Sequence, residues 1–523
     1  MPDLNTLADI TRFHAANNPD KVALVAGDVE LTYAQLDELS NRVANALAVA
    51  GVGNQDRVGY VAKNLIEYFA FTFGAAKLNA VTVAVNWRLA PPEIEYILDN
   101  AEAKVVLFEN EFLGHLAKMN LAADPLIVAV GGDGQHVEFD QWIADATTTD
   151  PMVAATIDDT AVQLYTSGTT GLPKGAELSN RNLFSIVGPL SSKMGLNSDK
   201  VLMHMLPLFH IGGSGVAIIG LYNGMKNVIH RDVDPGAIFR DIPAHGVTHA
   251  FMVPALLQVL PTIPGASDVD YSSLEQILYG ASPITEEVLI ASMGLLKCDH
   301  CQAYGLTETT GAITLLMPED HDPGGPRAHL LRSAGGPVDG VELRIVDEEG
   351  NDLPDGEIGE VWCRTVQNLK GYWRNPEATE AVYPEGRDET GFGWFATGDA
   401  GYLEDGFLFI RDRVKDMIVS GGENVYPAEI ENVLMSHPEI ADCAVIGVPS
   451  QRWGETVMAI ITPVPGTDPS QDDIIAYCTE RLAKFKCPTS VTRMETIPRN
   501  PSGKVLKTEL REPYWEGMNR QVN

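Results

Sequence analysis

Residues 165–175 read Y-T-S-G-T-T-G-L-P-K-G, and the way this stretch is built decides what kind of fold must surround it. Glycine carries no Cβ, so Gly168, Gly171 and Gly175 let backbone N–H groups approach and face an anion. Thr166, Ser167, Thr169 and Thr170 add hydroxyl donors, and Lys174 adds a mobile positive charge. The composition is that of a phosphate-holding loop. It is not a Walker A loop, which needs Gly-Lys-Ser/Thr at the opening of a helix, whereas Lys174 stands between Pro173 and Gly175. The apolar run 161–165 leads in as a strand. Residues 175–178 are too few for a helix, and Ser179 is the better cap for the next one. The loop is therefore expected to join two strands, with no helix dipole behind it.

Four further segments carry chemistry. Residues 302–308, Q-A-Y-G-L-T-E, place a ring, a glycine, a hydroxyl and a carboxylate in one turn after a strand. Tyr304 can stack on a purine, Thr307 can bond a phosphate and Glu308 can hold Mg²⁺. Read alone, the segment serves equally well as a structural turn. Residues 394–399, W-F-A-T-G-D, set Asp399 at a tight glycine turn, which suits a ribose diol or an Asx-turn. Residues 413–427 read R-V-K-D-M-I-V-S-G-G-E-N-V-Y-P, and residues 498–504 read P-R-N-P-S-G-K. Lys504 stands on a Pro/Gly-rich loop with no apolar periodicity that would make it core.

Outward from the loop, strand and helix signals alternate. Segments 22–25 and 29–31 flank Gly27-Asp28 as a hairpin, and Thr32 with Gln35 forms a capping box. Leu36, Leu39, Val43 and Leu47 line one face of the helix that follows and ends at Gly51. Asn64 is read as the start of a helix running to Lys77, and Pro91-Pro92 as the start of another. Segments 81–85, 105–108 and 126–130 read as strands, as does 277–282 running into a small-residue turn. The pattern predicts layered α/β subdomains with largely parallel sheets. From about residue 335 the texture changes to short segments with Gly, Asp and Pro turns, a more antiparallel β region. The last block, 414–523, has its own helices (427–437 and 472–482) and strands (441–448 and 456–463). It is expected to be a small mobile α+β domain joined to a large 1–413 domain through the charged segment 411–416.

A chain of 523 residues exceeds one core. Its 71 acidic and 37 basic residues give a net charge of −34, which argues against nucleic acid or an anionic membrane surface as a partner. Lys77 interrupts the longest apolar stretch, 68–85, so no transmembrane segment is expected. The N-terminus lacks the pattern of a signal peptide, and a soluble cytoplasmic protein is the expectation. Six cysteines suit a reducing compartment. Cys298 and Cys301, with His300 between them, are read as buried strand residues, since no second cluster stands at ligand spacing.

In order, and over essentially the whole chain, the five segments resemble those of the adenylate-forming enzymes: acyl- and aryl-CoA synthetases, luciferases and peptide-synthetase adenylation domains. The 420–427 stretch looks like that of bacterial fatty-acyl-CoA ligases. The resemblance implies an ATP-dependent ligase that forms acyl-AMP from an apolar acid, releases pyrophosphate and passes the acyl group to CoA. It also implies roles. Thr166 to Lys174, including Ser167, Gly168, Thr169, Thr170 and Gly171, would hold ATP phosphates. Gly280, Ala281, Ser282, Gln302 and Tyr304 would surround adenine, and Gly305 would be a further cofactor-binding residue. Thr307 would meet the α-phosphate, Glu308 with Thr170 would hold Mg²⁺, and Asp399 with Arg413 would hold the ribose. Lys415 would be the hinge and Lys504 the catalytic lysine. Gly421, Gly422 and Lys486 would receive CoA. His210, Gly212 and Val253 would wall the acid pocket, with His210 a gate or wall and not an acid/base. A different acceptor, another acid (aryl or steroid side-chain) or a noncatalytic acyl-nucleotide sensor are the alternatives. A homodimer is the expected assembly.

Overall fold

A computed structural model of the chain describes residues 4–132, 134–166, 172–282, 284–413, 416–420, 423–450, 452–499 and 504–516. Among the described residues the strands form sheets of nine, eight, four and five. The expected α/β layering is present, with a large N-terminal domain and a smaller C-terminal one.

The two strands that flank the glycine-rich stretch belong to the eight-stranded sheet. Thr160–Thr166 and Lys174–Ser179 pair antiparallel across the loop, as Tyr165↔Gly175 and Thr166↔Lys174. Ser179 then caps the Asn180–Lys193 helix in a capping box with Asn182. Inward lie Val81–Ala84, Arg57–Val61 and Val105–Glu109, all wholly buried, and then Leu126–Val130, buried at Val128 and Ala129; all four run parallel. Such near-continuous apolar strands belong in a sheet covered on both faces.

The nine-stranded sheet carries Val201–His204, His249–Met252, Gln276–Gly280 and Asp299–Leu306 in parallel, then Gly311–Leu316 returning antiparallel. The hairpin Val22–Ala26 and Val29–Thr32 forms as read but joins this second sheet, pairing Leu24 with Asn227. One continuous apolar core runs between the two sheets and their helices. Gly74 marks how close the helices lie, since a Cβ there would stand 2.6 Å from Val43 Cγ1.

One local reading changes. Asn64 does not cap the next helix, which spans Ile66–Lys77 with Leu65 at its N-cap. The Asn64 amide instead donates to the Leu206 and His230 carbonyls and accepts from Leu208 N, a buried tie that outweighs a cap bond on a helix end. Lys77 is wholly buried, with Nζ donating to Asp37 Oδ1 and Asn41 Oδ1 at 2.6 and 2.5 Å. A buried cation needs such partners.

Glu342–Val346, Gly359–Arg364, Phe395–Glu404 and Phe407–Arg413 form the expected antiparallel sheet. The last sheet holds Ile418–Ser420, Glu423–Val425, Ile440–Ser450, Gly454–Pro463 and Ser490–Arg493. Helices Pro427–Met435, Gln471–Thr479 and Lys507–Trp515 flank it around its own apolar clusters. A buried Arg511–Asp416 pair, 2.7 Å, ties the last helix to the start of this unit. No helix among the described residues is long and apolar enough to cross a membrane.

Candidate active site

Some of the expected site residues meet where a strand end of one large sheet approaches the turn that ends a strand of the other. Thr166, the last residue of its strand, donates from Oγ1 to Glu308 Oε1 at 2.9 Å. Tyr372 donates its hydroxyl to the same oxygen at 3.0 Å. The Tyr372 ring also faces Lys174, whose Nζ is 5.3 Å from the ring centroid. Two strand ends distant in sequence thus present hydroxyls, a carboxylate and a cation together. Sequence reasoning missed Tyr372, since it lies 64 residues from Glu308 with no spacing rule to join them.

Glu308 is held by its turn. Thr309 Oγ1 receives Leu306 N and donates towards the Leu306 and Gly311 carbonyls, while Thr310 Oγ1 donates to Gln367 O at 2.5 Å. Gln367, 2 % exposed, reaches back with Nε2 to the Thr309 and Ala312 carbonyls. Thr310 sits at φ 54° and Gly311 at φ 108°, a left-handed pair that closes the turn. Thr307 lies in this turn, half-buried, and its carbonyl accepts Thr310 N. Gln367 is a second residue that no motif announced.

Asp399 is 4 % exposed, and its Oδ2 accepts the Tyr304 hydroxyl at 2.6 Å. The turn that presents it is braced by Gly398 N to Glu360 Oε1 and Thr397 Oγ1 to Val361 O. Asp399 pairs in register with Arg413 across the sheet. The Tyr304–Asp399 bond joins the residues expected at the base and at the sugar.

The glycines at this site are demanded by backbone contact. A Cβ on Gly280 would stand 2.1 Å from Ala303 O, and one on Gly305 would stand 1.8 Å from Gly311 O. Ala281 is held at φ 68°, a conformation costing a residue with a Cβ about 1 kcal/mol or more. Half-buried Ser282 follows it. Gln302 Oε1 is buried with no hydrogen-bond partner. An orphaned acceptor midway along the Asp299–Leu306 strand fits an exocyclic amine such as adenine's.

His210 lies at the N-cap of the Ile211–Tyr222 helix, and its Nε2 is also buried without a partner. Burial, and then the charge of Arg88, hold its pKa down at about 4, so the ring is neutral near pH 7. Gly212 lies under Phe251, and Val253 caps the Pro254–Val259 helix.

Lys486 and Lys504 belong to the C-terminal sheet unit. Lys486 Nζ bonds both Glu429 oxygens, at 2.8 and 2.7 Å. Lys504 is exposed, ahead of the Lys507–Trp515 helix. Ser167, Gly168, Thr169, Thr170, Gly171, Lys415, Gly421 and Gly422 lie outside the described residues. Cys301 is buried, and burial raises the thiols of Cys298 and Cys301 to about 12. His300 bonds Ser292 and the Cys298 carbonyl. Among the described residues no group of three or more His, Cys, Asp and Glu is placed to hold a metal. One carboxylate ringed by hydroxyls still fits Mg²⁺, which keeps few protein ligands and leans on substrate phosphates.

Residues 11–373 match the family described as "AMP-binding enzyme", and residues 429–504 match "AMP-binding enzyme C-terminal domain". A fatty acid–[acyl-carrier-protein] ligase of Streptomyces coeruleorubidus is 41% identical over 529 residues, covering 100% of this chain and 99% of that one. A long-chain-fatty-acid–CoA ligase of Mycobacterium tuberculosis is 36% identical, covering 93% of this chain and 94% of its own. The crystal structure of an anthranilate CoA ligase with anthranoyl-AMP superposes with a TM-score of 0.87 at 29% identity, covering 98% of each chain.

Proposed function

The chain belongs to the AMP-binding enzyme family, the adenylate-forming acid–thiol ligases, and on that premise we propose that it joins a fatty-acid-like acid to CoA. In the first half-reaction a carboxylate oxygen attacks the α-phosphorus of ATP. A new O–P bond forms, the bond to pyrophosphate breaks, and acyl-AMP results. The nucleophile is already ionised, so no base is needed. In the second, the thiol of CoA attacks the acyl carbonyl, AMP leaves with the electron pair, and the thiol proton passes to solvent.

The chain's own residues would serve these steps through charge. The 166–174 loop would cradle the phosphates, and Thr307 would bond the α-phosphate. Glu308, oriented by Thr166 and Tyr372, would hold Mg²⁺, which neutralises phosphate charge when bound. Asp399 would take the ribose hydroxyls beside Tyr304 and Arg413, and Gln302 the base. Lys504 would stabilise the charge that grows during attack. With a net charge of −34, the protein must hold its anionic substrates by such local cations. We place the boundary between the large domain and the mobile small one at 413/414, with Lys415 as hinge. Gly421, Gly422 and Lys486 would then meet CoA, and Lys486 would exchange Glu429 for a phosphate or carbonyl of the cofactor.

What supports the reading most is the Thr166–Glu308–Tyr372 cluster beside Lys174. A second reading, transfer to a carrier protein, is favoured by the 41% identical relative named for that acceptor. Pyrophosphate release across a panel of acids, with ATP and Mg²⁺ present and CoA present or absent, tests adenylation. Release with no acid in the panel would refute the proposal, because turnover would then be hydrolysis of ATP alone. No release with any acid would refute it equally.

A further inference from the structure

We propose that Asn100 is a positioning residue for the β- and γ-phosphates of ATP. It fastens both strand ends that flank the glycine-rich stretch, from the face of the sheet opposite Glu308. The inference rests on the acyl-activating reading above. Thr166 and Tyr372 send their hydroxyls to Glu308. Their chain neighbours Tyr165 and Trp373 face the other way, because successive residues along a strand point to opposite sides of the sheet. There both meet Asn100, in the last turn of the Pro91–Ala101 helix. Tyr165 donates its hydroxyl to Asn100 Oδ1 at 2.5 Å, and Trp373 donates from Nε1 to the Asn100 carbonyl at 3.0 Å. Trp373 N in turn donates to the Gly175 carbonyl at 2.7 Å. Asn100 is thus tied to residue 165 directly and to residue 175 through Trp373.

The direction of this network is fixed at its buried end. A guanidinium only donates. Buried Arg57 gives Nε to Gln163 Oε1 at 3.2 Å and a terminal N–H to Glu177 Oε1 at 2.8 Å. The Gln163 oxygen is therefore the acceptor, and its Nε2 donates to the Tyr165 hydroxyl oxygen at 3.1 Å. That leaves the Tyr165 hydrogen for Asn100, whose side-chain oxygen accepts it. The Arg57 guanidinium carbon also lies 3.4 Å from the Trp373 ring centroid, so one cation backs both arms. The fit leaves little slack. A Cβ on Gly175 would stand 2.5 Å from Gln163 Nε2 and 3.0 Å from Tyr165 Cζ. Arg374 adds an ion pair to Glu102, just past the helix end.

Tyr165 and Gly175 stand one residue from Thr166 and Lys174, which offer a hydroxyl and a cation to the phosphates. Such donors serve only when held within about 0.5 Å of the productive geometry. Asn100 acts through these neighbours. The β- and γ-phosphates belong to ATP and return in pyrophosphate, but AMP and the acid lack them. Loosening the tie should therefore weaken the first two ligands and spare the last two. A brace that served the fold alone would move all four together.

The test uses the full-length protein with Mg²⁺. It compares the KM for ATP and for the acid in pyrophosphate release, the inhibition constant of AMP, and the half-saturating pyrophosphate when ATP is formed back from acyl-AMP. Asn100→Ala and Tyr165→Phe should each raise the ATP and pyrophosphate values by about fivefold, the worth of one hydrogen bond between neutral groups. The AMP and acid values should change by less than about twofold, within the weight of a bond they do not use. The double variant should be no worse than either single one, since both remove the same bond. Asn100→Asp keeps an acceptor oxygen and should restore the ATP value. Thermal melts identify any variant that fails to fold, and either folded variant suffices; loss of folding in both assigns the bond to stability and overturns the proposal. All four values weakened alike, or ATP and pyrophosphate unmoved in a folded variant, also overturns it but leaves acyl activation standing. No release by the wild type with any acid refutes the acyl-activating reading itself, and the proposal with it.

Discussion

Removing the Tyr372 hydroxyl is the sharpest probe of how Glu308 is held. Thr166 and Tyr372 both donate to one oxygen, Oε1, at 2.9 and 3.0 Å. A hydrogen bond to a charged acceptor is worth about 1.5–3 kcal/mol net, and half-buried Glu308 belongs at the low end. Tyr372→Phe keeps the ring over Lys174 and deletes only the hydroxyl. A loss of about 1.5 kcal/mol in transition-state stabilisation is about tenfold in rate. Thr166→Val should cost a similar factor. Because the two hydroxyls hold the same atom, the double variant should fall short of the product of the single losses, water replacing what is removed. Pyrophosphate release across a Mg²⁺ titration gives the readout, with kcat falling and half-saturation by Mg²⁺ rising. A kcat within twofold of wild type and an unmoved Mg²⁺ midpoint in both single variants would refute the reasoning.

Asp399→Ala should raise the KM for ATP by at least about tenfold, since a charge-assisted bond to the ribose is lost, while the KM for the acid stays nearly constant. Equal loss for both substrates assigns Asp399 a folding role. Lys504→Ala should slow adenylation by about 10²–10³ in single-turnover assays and leave thioester formation from supplied acyl-AMP much less affected. Stability should fall with acid. His204, His210 and His300 are each held at about 4, chiefly by burial, against about 6.5 when unfolded. Between those values the unfolded chain binds more protons, so the urea midpoint should drop from about pH 6.5 down to about pH 4 and stay level just above neutrality. A midpoint that holds constant through that window would contradict it.

The sequence carried local information well. The two strands read on either side of the glycine-rich stretch, the Ser179 cap and the Gly27-Asp28 hairpin all rest on short-range rules, and all are present. Pairing across hundreds of residues was not legible, so the first hairpin could not be assigned to the sheet of Asn227. Asn64 read as a cap because a local rule was the only one on offer, while its true partners lie near 206 and 230. At the site, Glu308 and Asp399 were marked by turns of unusual composition. Tyr372 and Gln367, which hold the Glu308 turn, sit in an ordinary stretch and gain meaning only through contact. The ambiguity of residues 298–301 was one of burial, and the raised thiols with a hydrogen-bonded His300 give it a structural answer.

The acceptor is the point on which the account turns most directly. Purified acyl-AMP of a medium-chain acid, supplied to the protein with free CoA and with a pantetheinylated carrier protein in equal amounts, separates the two readings by product mass. Acyl-CoA as the main product, formed without ATP and with release of AMP, is the predicted result. Acyl-AMP that persists beside saturating CoA, or label that collects only on the carrier protein, would contradict it.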